Sequence, residues 1–437
     1  MEEQSSNEGE LHLKRLLKQQ QWNIISANHK NDYRMKTGIY IAGLGQSFVD
    51  ETIEKYARRL VNEMSFDTNG VDYEIKTEKI VYTAGRESTV VSICEKNGPK
   101  GVLYKLYDFK YHEILTEKFN SYSLILKNLW LLLLVFKKIP LLIKRLFVRA
   151  SYNRPFQTLY LFCIFFIIAC AVLLMLPAII GLITDFFANE NVNDLLAAFR
   201  RKTGIADIPF VSKAGVEGFA KVIVSITAVL LLLVPNANVL VASLATEFVC
   251  ANDYMEHGVQ KQLLQGNLEL LVDYITEHEK DCKIHFHTYS FGSILALDYI
   301  YPFGNKVSKN AEMFCEAIIT IGTPFEFIKS YYPQFYQNRT TAFGDKLQWL
   351  NVYSTADALA TNFRKDSKPG EAEFGIENTS NKPVNINYEV APVNNHSIGN
   401  FLMLYSIRVH GMYWDNKAEG QSCLSLIYEE MRSRSLI

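Results

Sequence analysis

No surplus of either charge marks this sequence: 45 Lys and Arg stand against 46 Asp and Glu, a formal charge of -1. A chain without an overall positive field does not draw polyanions from a distance, so nucleic-acid binding is not expected. Cysteine is sparse and unpatterned. The seven residues Cys94, Cys163, Cys170, Cys250, Cys282, Cys315 and Cys423 form no CxxC pair and are odd in number. That excludes a disulfide framework and a zinc ribbon, and suits a reducing compartment. No internal repeat and no low-complexity tract interrupts the 437 residues. Met1 to Glu10 is polar and acidic with no apolar stretch, which predicts no cleavable secretory signal.

Apolar length is what the sequence does have. From Leu159 to Thr184 run 26 successive uncharged residues. At about 1.5 Å per helical residue they suffice to cross about 30 Å of hydrocarbon. A second uncharged run, Val222 to Thr246, holds Pro235-Asn236-Ala237-Asn238 and predicts a second crossing, with those residues marking a kink, a re-entrant turn or an early exit. Ahead of them, Leu129 to Phe136 is followed by Lys137, Lys138, Lys144, Arg145 and Arg149. A short apolar run broken by cations and carrying Trp130 suits a helix lying against anionic headgroups. Seven basic residues over Lys127 to Arg154 against five over Asp185 to Lys221 predict that both termini lie on the cytoplasmic side. The reading is of an integral membrane protein whose partner is the lipid bilayer.

On both sides of this block the pattern alternates between strand and helix. Ile39 to Ala42 is an apolar run stopped by Gly43-Leu44-Gly45, and Val49 to Met64 then has helical spacing. Val102 to Tyr107 reads as a strand. Later come a helix over Leu263 to His278, a strand over Ile284 to His287 and a helix over Ile294 to Ile300. Further strands follow over Ala317 to Ile321, Leu350 to Tyr353 and Ile386 to Val390. Such alternation predicts an α/β fold, a mostly parallel sheet with helices on both faces, carrying an inserted α-helical membrane hairpin. The chain divides into a polar extension (1–33), a first sheet portion (34–120), the membrane insertion (121–250, with the interfacial helix over 124–150 and spans near 158–184 and 222–246) and a second sheet portion (251–437).

The chemistry is expected where the strand ending at His287 meets the following helix, in Thr288-Tyr289-Ser290-Phe291-Gly292. A serine on a sharp strand-to-helix turn is lifted clear of the sheet, and small flanking residues let strand and helix approach around it. An acid and a histidine should follow in that order, the acid to orient the imidazole and the imidazole to take the serine proton. Asp357 follows Ser290 by 67 residues, after Leu350-Asn351-Val352-Tyr353, and His396 follows Asp357 by 39. His285 and His287 lie on the strand itself and are poorer bases.

Tyr289-Ser290-Phe291-Gly292-Ser293, Ile321-Gly322-Thr323-Pro324, Val352 to Asp357 and Asn395-His396-Ser397 together resemble the serine hydrolases of the α/β-hydrolase superfamily, of the lipase and esterase kind. Thr288 stands where that family usually has Gly, and Tyr289 where it often has His. The resemblance implies an oxyanion hole from Leu44 and Gly45, in the turn after the first strand, and from Phe291. It implies Ser290 as nucleophile, His396 as base and Asp357 as the orienting acid, acting on an ester or thioester of a lipid or acylated substrate with no metal and no cofactor. The alternative is a membrane receptor or interaction module that keeps the fold without the chemistry. Spans without an intramembrane charge offer no transport pathway.

Overall fold

The computed structural model describes residues 36–44, 52–68, 71–96, 101–122, scattered positions between 130 and 141, 249–279, 281–304, 307–339, 343, 346–366, 368–377, 379–389, 409–414 and 421–437. The polar extension, both long apolar runs, Gly45 and His396 lie outside them. Among the described residues no helix is long and apolar enough to cross a membrane, so they lend the expected hairpin no support.

The strands are β1 (Lys36–Ile41), β2 (Tyr73–Thr83), β3 (Arg86–Glu95), β4 (Val102–Asp108), β5 (Lys283–Tyr289), β6 (Cys315–Ile321), β7 (Gln348–Tyr353), β8 (Gly370–Glu371) and β9 (Val384–Asn387). They form one nine-stranded sheet in the order β2-β3-β4-β1-β5-β6-β7-β9-β8. The six central strands from β4 to β9 are all parallel. Antiparallel β3 and β2 extend one edge, and the two-residue β8 closes the other.

Alternation along each central strand decides which face it feeds. Ile284 and Phe286 of β5 and Ile318 of β6 enter one apolar core. Tyr289, Ala317, Ile319 and Ile321 enter the other. The first core is covered by α3 (Gly258–His278), α4 (Phe291–Ile300) and α6 (Phe325–Tyr331), with α2 (Tyr111–Asn120) and α5 (Lys309–Phe314) beside them. The second is covered by α1 (Ile53–Asp67) and α7 (Cys423–Ser433). In α1 the buried Ile53, Tyr56, Ala57, Leu60 and Met64 fall on one helical stripe, and Thr52 caps the start by accepting from the Lys55 N–H. Ser422 caps α7 and its hydroxyl lies 3.0 Å from Glu63 of α1, joining two helices far apart in sequence. The result is the α/β architecture expected, with both sheet faces covered.

Two differences from the sequence reading are physical. The hairpin β2–β3 was not expected, because β2 has no fully buried residue and is rich in Glu and Lys, which on an edge strand resist further pairing. The segment expected to lie on headgroups turns part of its charge inward. Lys137 and Lys138 both pair with Glu256, Lys138 at 2.8 Å and buried, with its ammonium 3.7 Å above the Tyr332 ring. Two of the cations assigned to headgroups are therefore engaged by the protein itself.

Candidate active site

Ser290 sits between β5 and α4 with φ 53° and ψ -122°, a backbone strained for any residue with a side chain. The surroundings hold it there. Its N–H donates to the Ile321 carbonyl at 2.8 Å, and its own carbonyl accepts from Ser293 N–H at 3.0 Å. Gly292 explains how α4 comes so close to β1. A Cβ at that position would stand 2.4 Å from the Ile41 carbonyl oxygen and 2.5 Å from that of Ala42. Thr288 fits because its Oγ1 donates to the Ile319 carbonyl at 2.8 Å and lies 3.0 Å from Ser293 Oγ, a buried position satisfied without glycine. Helix α4 is itself pinned by Asp298, whose carboxylate takes Tyr254 Oη at 2.5 Å, Lys261 Nζ at 2.7 Å and the Arg339 guanidinium.

Asp357 follows β7 as expected. Its loop is held by Glu389, just past β9, which accepts from Thr355 N–H at 3.0 Å and from Ser354 Oγ at 3.1 Å. Asp357 Oδ1 accepts from Leu359 N–H at 2.8 Å, and its side chain is fully buried.

The imidazole that joins serine and acid is His410. Its Nδ1 donates to Asp357 Oδ2 at 2.8 Å, and its Nε2 accepts from Ser290 Oγ at 2.7 Å. His396, the expected base, lies outside the described residues, and the position it was given is filled. Two contacts with Tyr289 fix His410. Tyr289 Oη donates to its carbonyl, and the Tyr289 ring stacks at 5.5 Å and 22°. Gly322, with φ +58°, leaves room: a Cβ there would stand 3.2 Å from His410 Cε1 and 3.0 Å from Tyr413 Cε2. The sequence signal was available but faint, a histidine among Val409-His410-Gly411-Met412-Tyr413-Trp414 with no acid or base beside it.

Of the expected oxyanion-hole residues, Phe291 is the first residue of α4, where a helix N–H has no intrahelical acceptor. Leu44 is the last described residue of the segment that continues from Ile41 and Ala42 beside Gly292. Gly45 lies beyond it, outside the described residues. Among the described residues no cluster of three or more His, Cys, Asp or Glu is placed to hold a metal.

His285 and His287 are not bases for this serine. They belong to a buried chain on the α1 face, whose direction follows from counting protons. Tyr56 O–H donates to His287 Nδ1 at 2.7 Å, and His287 Nε2–H donates to Tyr104 Oη at 2.7 Å. Tyr104 then donates to His285 Nδ1 at 2.8 Å, and His285 Nε2–H donates to Glu316 at 2.9 Å, which Lys36 also reaches at 2.6 Å. Gly38 makes the space, since a Cβ there would lie 2.9 Å from His287 Cδ2.

Burial lowers the pKa of both imidazoles, that of His287 well below 6.5. Burial would raise that of Glu316, but hydrogen bonds from His285 and Lys36 outweigh it and bring the carboxyl down to about 2. The unfolded chain thus binds protons that the folded chain refuses. Stability present above pH 6.5 is lost as pH falls below it, by up to about 1.4 kcal/mol per pH unit for each histidine. Asp108, raised by burial to about 7, acts with the opposite sign, because its folded form takes up a proton first. Denaturant unfolding from pH 7 to 5 should show falling stability, and Asp108→Asn should steepen the fall. A flat profile in both proteins would contradict neutral buried histidines.

No family model, no curated protein and no solved structure matches this chain.

Proposed function

We propose that the protein is a serine hydrolase of the α/β-hydrolase kind that cleaves an ester or thioester through an acyl-enzyme on Ser290. The observation that carries this is the continuous hydrogen-bonded relay from Ser290 Oγ through His410 to Asp357, on a strained strand-to-helix turn. The order along the chain supports it: nucleophile after β5, acid after β7, histidine beyond β9, all beyond the C-terminal ends of parallel strands.

In the acylation step Ser290 Oγ attacks the carbonyl carbon while His410 Nε2 takes its proton. Asp357 holds the Nδ1 proton and stabilises the imidazolium. The developing oxyanion is met by the Phe291 N–H and by the backbone that follows β1 at Leu44. Collapse expels the alcohol or thiol, which takes the proton from His410. Water then enters, gives a proton to the same nitrogen, attacks the acyl carbon, and returns Ser290 as the acid leaves. Convergence of all three groups within hydrogen-bond distance favours catalysis over a binding module that has lost it. The apolar runs 159–184 and 222–246 support a bilayer anchor, and a lipid or acylated substrate with it, and the excess of basic residues before the first run supports the cytoplasmic side for the hydrolase.

The test is pre-steady-state hydrolysis of p-nitrophenyl acyl esters by the full chain in detergent. The expected result is a nitrophenolate burst of one equivalent per chain, absent in Ser290→Ala. Turnover that persists unchanged in Ser290→Ala would rule the assignment out.

A further inference from the structure

The Asp357 oxygen that faces the imidazole receives one donor more than a relay needs. Its Oδ2, which accepts from His410 Nδ1 at 2.8 Å, also lies 3.0 Å from Tyr413 Oη. The direction of that contact is fixed. Tyr413 Oη lies 3.0 Å from the Ser354 N–H, which can only donate, so the phenol's single proton goes to the carboxylate. The ring is 1% exposed and caged by Tyr289 at 6.1 Å, Tyr388 at 6.0 Å and His410 at 6.5 Å, in the space that Gly322 leaves. Tyr413 lies three residues beyond His410, so one short segment delivers both the base and a second donor to the same oxygen.

We propose that Tyr413 is a positioning residue of this site, one that sets the basicity of His410 through Asp357; the inference rests on the serine-hydrolase reading. A donor to the ionised carboxylate spreads its charge and turns its lone pair toward the imidazole. The less charge Asp357 concentrates on Nδ1–H, the less it stabilises the imidazolium, and the lower the pH at which His410 is free to act as base. Removing the hydroxyl reverses this. The imidazolium is then favoured, and the acidic limb of the reaction moves to higher pH.

The experiment follows the second-order rate of fluorophosphonate modification of Ser290 against pH, on the full chain in detergent, and needs no natural substrate. Three changes are compared with the unmodified chain. Tyr413→Phe keeps the ring and removes both the donor to Asp357 and the acceptor of the Ser354 N–H. It should raise the midpoint of the acidic limb by about 0.5 to 1 pH unit, the size of one net hydrogen bond, and lower the plateau about 10-fold as the imidazole loses its fixed orientation. Replacing Tyr413 by 3,5-difluorotyrosine through nonsense suppression keeps the shape and strengthens the donor, so the midpoint should move down. Thr355→Val removes a neutral donor to Glu389 from the 354–355 loop without changing any charge or touching Asp357, and should lower the rate with the midpoint unmoved. An unmoved midpoint in both Tyr413 variants would overturn the proposal while leaving the hydrolase reading intact. No modification of the folded, unmodified chain would remove the hydrolase reading and this inference with it.

Discussion

On the proposed function, His410→Ala should lower esterase turnover by roughly 10,000-fold or more, the scale expected when the base of a serine relay is removed. Two losses combine in that figure. Ser290 Oγ loses the acceptor 2.7 Å away that takes its proton, and the buried Asp357 carboxylate loses the donor at 2.8 Å that its charge is arranged to meet. His396→Ala should keep whatever activity the unmodified chain has, because the place between serine and acid is filled by His410. The pair of variants, read by steady-state hydrolysis and by circular dichroism to show that both fold, separates the two histidines. Equal loss in both, or loss in His396→Ala alone, would contradict the geometry described.

The second large effect is on the fold around the serine. Gly292→Ala places a methyl group 2.4 Å and 2.5 Å from two backbone carbonyl oxygens at the end of β1, neither of which can rotate away. Backbone must move, either α4 with Ser290 at its head or the segment that leads to Leu44. The cost is about 3 kcal/mol, at the upper end of ordinary overpacking because no side chain can yield. The rate should fall too, since the nucleophile and the oxyanion donor move apart. Gly266→Ala gives the opposite sign. Gly266 lies exposed within α3 with nothing within 4 Å of an added Cβ, so the substitution stabilises by about 0.5–1 kcal/mol. Thermal unfolding of both variants checks the contrast, and a neutral Gly292→Ala would show that α4 does not press on β1 as described.

How legible these features were depended on burial. The central strands could be read because they are buried on both faces and rich in apolar residues: Ile284 to His287 lies within β5, Ala317 to Ile321 within β6 and Leu350 to Tyr353 within β7. The strand expected over Ile386 to Val390 is β9 at Val384–Asn387, displaced because its apolar residues are few and its end carries the polar Glu389 that holds the acid loop. The hairpin β2–β3 was hidden by the charge that protects an edge. Ser290 was legible because a turn has local chemistry, and Asp357 because it lies in the short loop that follows an obvious strand. His410 was not, because its place is fixed by contacts across 120 residues to Ser290 and 53 to Asp357. Nothing within its own segment distinguishes those contacts from the ones a histidine at 396 would have had to make. Tyr413 and the chain from Tyr56 to Glu316 were invisible for the same reason: each needs partners from several elements.

The most direct test of the central claim, that His410 and Asp357 activate Ser290, is intact-mass and peptide mapping of the full chain after brief exposure to a fluorophosphonate near neutral pH. A single adduct is expected on the peptide bearing Ser290, formed slowly in His410→Ala and not at all in Ser290→Ala. An adduct on another residue, or none on folded protein, would contradict it.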